Sequence, residues 1–265
     1  MNKTELLDRF ARDGEERILL ARALDRLALA RERGVPAHTE FLPPEQQAAL
    51  SDLLAAAGAT RYFFFGGFDG AERQVCAFLP DWQERDDWLA DADCPVAALR
   101  CAFPKGAELA HRDILGALMG LGVTRETVGD LLLYDGGCDV ITLRSALPIL
   151  LSQWEGAGRW RFAPKEIALG EARVETSPPR LVRDSVAALR LDAVAAAGFS
   201  LSRARAAELI AAGRVLLDHR VCLKPDKTVG EGSTLNCRGM GKCVLKEVCG
   251  LSRKGRTQIV LELYR

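Results

Sequence analysis

The apolar positions change period along the chain, and each change marks an element. Over 13–33, Leu20, Leu24 and Leu27 repeat at helical spacing. Asp13, with Glu16 three positions on, makes an N-terminal capping pattern, and Gly34 ends the run. Pro43-Pro44 introduces a second helix over 45–57, stopped by Gly58. RYFFF, GGFDG and AERQVCAFLP read as strand, glycine turn and strand. These elements predict a small N-terminal α+β domain, 1–80.

A second domain is expected over 81–170, after an acidic loop around Trp82–Asp93. VAALRCAF (96–103) predicts a strand and 111–121 a helix, with a helical turn after Thr124. LLLY (131–134) and CDVIT (138–142) are strands joined by Asp135-Gly136-Gly137, a strong hairpin signal. LRSALPILLSQW (143–154) is helical in part, started or kinked by Pro148, and RWRFAP (159–164) reads as a last strand. The order strand–helix–strand–strand–helix–strand is the split βαβ of ferredoxin-like and RRM-like domains. An RRM stacks bases on aromatics of its two central strands. Here CDVIT has no aromatic and the first strand offers only Phe103, so any RNA contact is expected away from that platform.

Residues 171–182, with Pro178-Pro179 and little periodicity, read as a linker to a third domain, 183–265. There 184–198 predicts a helix starting at Asp184, and 199–213 a second, with Ser200 as N-cap and Gly213 as its stop. Alanines on both helices allow close approach. Short strands follow over 214–225, 233–239, 243–250 and 257–265. The fold class is therefore α+β throughout.

Composition narrows the picture. Of 265 residues, 48% are apolar and 27% charged, an ordinary globular balance. Apolar stretches such as 53–57 fall far short of the ~20 residues of a membrane span. The charged N-terminus lacks the apolar core of a secretory signal, so a cytoplasmic protein with no membrane partner is expected. Eight cysteines include no C-x-x-C pair, which predicts reduced thiols in strands and core, with no metal and no cofactor.

Charge divides the chain. It totals zero, with 36 basic and 36 acidic residues, yet 183–265 holds 15 Lys+Arg against 8 Asp+Glu. The rest is acidic by the same margin, so the C-terminal part is expected to meet a polyanion. Phosphate is held by Arg forks, Lys and free helix N–H groups. The candidates are Ser202, Arg203, Arg205, Arg214, His219, Arg220, Lys224, Arg238, Lys242, Arg253, Lys254 and Arg256. Arg203 and Arg205 stand in a first helical turn, where the dipole disfavours cations. They are therefore expected to serve binding rather than stability.

At this point resemblance adds to the residues. Arg190-Leu191-Asp192, Ser202-Arg203, Ala206, Leu209-Ile210, Gly213 and Val215 follow the pattern of the RNA-binding domain first seen in ribosomal protein S-four. Asp218-His219 replaces that family's usual Asn-Gly, and Gly232-Ser233 its Gly-Asp. GGFDGAER (66–73), HRDILGALMGLGVTRETVGD (111–130), RGMGK (238–242) and SRKGR (252–256) further resemble the YlmH family of bacterial RNA-binding proteins. Met240 stands where a basic residue is expected. The resemblance implies binding of large-subunit ribosomal RNA and of tRNA or peptidyl-tRNA. It implies work beside ribosome rescue factors, in rescue of stalled translation and C-terminal tailing. It also makes His111 and Arg112 candidate contacts to RNA or a partner.

An RNA-modifying enzyme is the alternative class. Asp192 invites comparison with the aspartate of pseudouridine synthases, but no catalytic domain is expected after the module, and a helix-surface or helix-packing pair with Arg190 is expected instead. His111-Arg112-Asp113 lacks the Asn five residues on that a kinase loop needs, which here is Leu118. Gly120-Leu121-Gly122 lacks the third glycine of a dinucleotide loop, and no methyltransferase turn follows a strand. No catalytic residue is assigned.

Overall fold

The computed structural model describes residues 2–91, 94–174, 179–237, 239–252 and 255–264. The chain separates into two compact units, 1–175 and 176–265.

The first unit opens with α1 (Lys3–Phe10), α2 (Gly14–Arg33), β1 (Ala37–His38) and α3 (Pro44–Ala56). β2 (Tyr62–Phe65), β3 (Val75–Phe78) and α4 (Arg85–Ala90) follow. Asp13 caps α2 as expected, accepting from the Glu16 N–H at 2.8 Å, and Gly34 ends it at φ 63°. Glu16 does not reach back to its cap; it takes the Arg12 N–H and guanidinium instead. The acidic loop expected at 82–93 contains α4, which buries Trp88. The three strands pair in the order β1-β3-β2.

Next come β4 (Val96–Ala102), α5 (His111–Gly120), β5 (Val128–Tyr134), β6 (Gly137–Leu143) and α6 (Leu147–Gln153). A ribbon of β7 (Gly156–Ala157) and β8 (Trp160–Arg161) precedes β9 (Pro164–Ile167). The sheet order β5-β6-β4-β9, antiparallel throughout, is that of the split βαβ fold. One expectation is corrected. RWRFAP is not the last strand of this sheet, because Trp160 and Arg161 pair back onto Ala157 and Gly156. Pro164–Ile167 takes the edge beside β4 instead.

The two central strands, β4 and β6, are buried on both faces, which is why they read as near-continuous apolar runs. Ala97, Leu99, Cys101, Cys138 and Val140 pack under α5 and α6 with Ile114, Leu118 and Leu150. The opposite face (Val96, Ala98, Ile141, Leu143) meets Phe41, Val75, Ala77, Leu79 and Trp88. Alternate residues of β3, Cys76 and Phe78, face α1–α3. The unit is thus four layers: helices, three-stranded sheet, four-stranded sheet, helices. Gly129 is part of that seam, since a Cβ there would lie 2.9 Å from the Phe41 ring.

The second unit has its own core. Its elements are β10 (Arg180–Val186), α7 (Leu191–Phe199), α8 (Arg203–Ala211), β11 (Val215–Leu217) and β12 (Arg220–Val221). β13 (Thr234–Cys237), β14 (Gly241–Leu251) and β15 (Thr257–Tyr264) complete a six-stranded sheet, β10-β15-β14-β13-β11-β12. The helix expected from Asp184 is a strand instead: Arg180–Val186 pairs residue by residue with β15, and the helix starts at Leu191. A strand therefore already occupies the last residues of the segment read as linker.

Candidate nucleic-acid interface

The two helices of the second unit are joined tightly. Ser200, expected as an N-cap, is the left-handed C-terminal residue of α7 at φ 55°. The cap of α8 is Ser202, whose hydroxyl accepts from the Arg205 N–H at 3.2 Å. Ala195 and Ala206 are fully buried, as close helix packing requires. The first N–H groups of α7 are taken by the chain after β12: Leu191 N–H donates to the Lys227 carbonyl at 2.8 Å and Asp192 N–H to that of Pro225 at 2.9 Å. This sets the exposed Lys224 and Lys227 beside the start of α7.

Asp192, 4% exposed, sits at this meeting point. Its carboxylate accepts from Arg190 Nε at 3.2 Å and Arg203 Nε at 3.1 Å, and from a second nitrogen of each. Burial alone would raise its pKa; the two guanidinium groups outweigh that and hold it below the ordinary carboxylate range. Of the helix-surface and helix-packing roles expected for Arg190 and Asp192, the burial of Asp192 and its bond to Arg203 on the next helix select packing. Arg203 corrects an expectation, because it has a structural duty. It is also 53% exposed, and two arginines against one carboxylate leave a net positive charge at the surface. Arg205 makes an exposed pair with Glu208 at 2.8 Å.

The remaining candidates are spread around the module. Arg214 follows Gly213, at the opposite end of α8 from Arg203. His219 is the second residue of the two-residue turn between β11 and β12, where Asp218 and His219 have φ of 49° and 64°. Arg220 opens β12. Lys242 on β14 lies 5.2 Å from the Tyr264 ring, beside a cleft of about 410 Å³ lined by Phe199, Ser200 and Met240. Arg256, at the far end of β14–β15, donates to the Ser185 hydroxyl at 3.0 Å and to its carbonyl. Arg238, Arg253 and Lys254 lie outside the described residues. So Arg190 and Arg203 meet on Asp192, Ser202 caps the helix that carries Arg203, and the backbone of Pro225 and Lys227 holds the start of α7, whereas Arg205 turns to Glu208. Lys242 and Arg256 stand apart.

In the first unit His111 and Arg112 open α5 and are exposed. Partial desolvation of its ring, aided by the charge of Arg125, lowers the His111 pKa. Three sequence segments converge nearby. Arg73 donates to the carbonyls of Phe41, Arg125 and Val128, and Asp130 accepts from the N–H groups of Glu72 and Arg73. Burial and the neighbouring Arg125 lower the Arg73 guanidinium to about 10. This belt fastens the N-terminal layer to β5.

A second pocket, of about 690 Å³, lies along β9, but its arginines are engaged. Arg144 pairs with Glu166 at 2.9 Å, and Arg100 with the fully buried Asp139 at 2.7 Å. Among the described residues no group of His, Cys, Asp and Glu could hold a metal, and no helix is long and apolar enough to cross a membrane.

Comparison with known proteins finds two matching domains. Residues 189–235 match the S4 domain, and 91–170 match the putative RNA-binding domain in YlmH. Over 259 residues, 98% of both chains, the sequence is 28% identical to ribosome-associated protein quality control protein P2 of Bacillus subtilis (strain 168). The cell division protein ylmH from Streptococcus pneumoniae matches in structure with a TM-score of 0.50 at 21% identity. That match covers 62% of this chain and 96% of the other, and it speaks to the fold.

Proposed function

We propose that this chain, which joins a YlmH-type RNA-binding domain to an S4 domain, is a ribosome-associated RNA-binding factor with no catalysis of its own. Its targets are ribosomal RNA of the large subunit and tRNA or peptidyl-tRNA. Its setting is the cytoplasmic rescue of stalled translation with C-terminal tailing, beside rescue factors. The observation that carries this is the cationic end of the second unit. Arg190 and Arg203 are locked as forks on Asp192, their outer edges in solvent, and the exposed Lys227 follows on the segment whose backbone holds the start of α7. A preordered set of guanidinium groups suits phosphate better than flexible cations do, because less freedom is lost on binding.

The enzyme alternative finds less support. Asp192, the residue that would serve a pseudouridine synthase-like reaction, is consumed by two arginines. In the first unit the pocket along β9 holds paired ions rather than convergent acid and base groups. The test is sedimentation of the full chain with ribosomes from lysate at low and high salt. Co-sedimentation with large subunits carrying tRNA, lost as salt rises, is the expected result. Sedimentation with neither subunit would overturn the proposal. Multiple-turnover modification of added ribosomal RNA or tRNA would replace it with the enzyme reading.

A further inference from the structure

The central domain matches an RNA-binding family, yet the sheet face that an RRM offers to RNA is covered here. Val96, Ala98, Ile141 and Leu143 are buried under the N-terminal layer. RNA must therefore use another surface of this domain, if it touches it at all. The ribbon β7–β8 is the feature of the fold that its own packing leaves unexplained.

Its base is rigid. Trp154, 2% exposed, lies edge-on to Phe162 with ring centres 5.3 Å apart and donates its indole N–H to the Gly156 carbonyl at 3.0 Å. Phe162 also meets Phe103 at 5.5 Å, and its N–H donates to the Glu155 carbonyl. Ala157 is buried, and Gly156 is obligatory: a Cβ there would sit 2.0 Å from the Trp160 carbonyl oxygen. The tip carries different chemistry. Arg159 is exposed and lies 4.8 Å over the Trp160 ring, and Trp160 is only half-buried. Arg161 is 77% exposed, with Glu155 at 3.5 Å as a solvent-screened partner. A rigid base thus presents an Arg–Trp stack and a second arginine that the core does not need.

We propose that this tip is the RNA contact of the central domain. An unpaired base lies on the Arg159–Trp160 stack and an adjacent phosphate meets Arg161. Unstacked bases settle on aromatic rings or guanidinium planes, and a neighbouring fork supplies the phosphate contact. The inference rests on the RNA-binding reading above and adds a second contact, separate from the S4 module.

The test uses the full chain with two probes, a short oligouridine strand and a blunt RNA duplex. Replacing Arg159, Trp160 and Arg161 together by Ala should weaken oligouridine binding about tenfold and leave duplex binding nearly unchanged. Arg159→Lys keeps the charge but not the plane. It should lose much of the oligouridine affinity while keeping the parent's salt dependence. Should the triple variant melt early, Arg159→Lys and Arg161→Gln, both at exposed side chains, decide the matter. Parent-like oligouridine binding by folded variants overturns this contact while leaving the S4-led reading intact. A parent that binds neither probe fails both. Loss of ribosome co-sedimentation with unchanged RNA binding would make the tip a protein contact, which also overturns the proposal.

Discussion

Asp192 is almost fully buried and stays charged because two guanidinium groups enclose it. This separates Arg203 from Arg205, two residues apart in one helical turn. Arg203→Ala should destabilise the second unit by about 1 kcal/mol, since the lost partner is half-exposed; denaturant titration reads this. Arg205→Ala should leave stability unchanged, its partner Glu208 being equally exposed. It should also lower the salt slope of RNA binding by about one unit. The same chemistry sets an acid limit. The Asp192 and Asp139 carboxyls are both held below their ordinary range by arginine hydrogen bonds that outweigh burial. The unfolded chain therefore binds their protons first. Their contribution to stability is intact above about pH 4 and is lost as pH falls through the folded values. Half-buried His38, whose pKa is lowered by desolvation, acts in the same direction from about pH 6.5 downward. Melting temperature should thus fall with acid in two stages, and His38→Asn should shrink the earlier one, to which His111 also contributes. His219 carries a different strain, a left-handed φ of 64° on a residue with a Cβ. His219→Gly should raise stability by up to about 1 kcal/mol, measured by thermal melting.

At the scale of elements, the central strands β4 and β6 of the first unit owe their composition to burial on both faces. Ile141 is fully buried between β3 and β6 layers, so Ile141→Ala should cost about 2–5 kcal/mol, as equilibrium unfolding would report. The helices α2, α3 and α5 and the strands β4–β6 were legible in the sequence because caps, glycines and period agree there. Three features were not. The segment 180–186 reads as the end of a linker and, from Asp184, the start of a helix, whereas its seven backbone pairs with β15 come from a strand more than seventy residues away. The burial of the sheet face shows as apolar runs, but nothing in the sequence says which layer covers it. Within the candidate site, Arg203 reads as a free cation because its partner Asp192 lies eleven positions earlier and meets it only through helix packing. The ribbon tip, Arg159-Trp160-Arg161, did carry a signal, an aromatic between two arginines, masked by being read as a strand.

Over the whole chain, two separate cores predict two independent folding transitions. A fragment cut at residue 183 would halve β10, so the C-terminal unit should be produced from about residue 176. That fragment should bind structured RNA with a salt dependence close to the full chain's, whereas the shorter one should melt earlier. The covered sheet face has a further consequence, for synthesis. The chain is made from its N-terminus, so Phe41, Val75, Ala77 and Leu79 emerge before the strands that hide them. Leu79 precedes Ile141 by roughly sixty residues, which at about 5–20 residues per second is roughly 3–12 s of waiting. During that interval the nascent N-terminal layer has one finished face, against its helices, and one sticky face with no partner. A ribosome that stalls in this stretch would hold out an aggregation-prone half-product, which holdase chaperones would have to shield until β6 emerges.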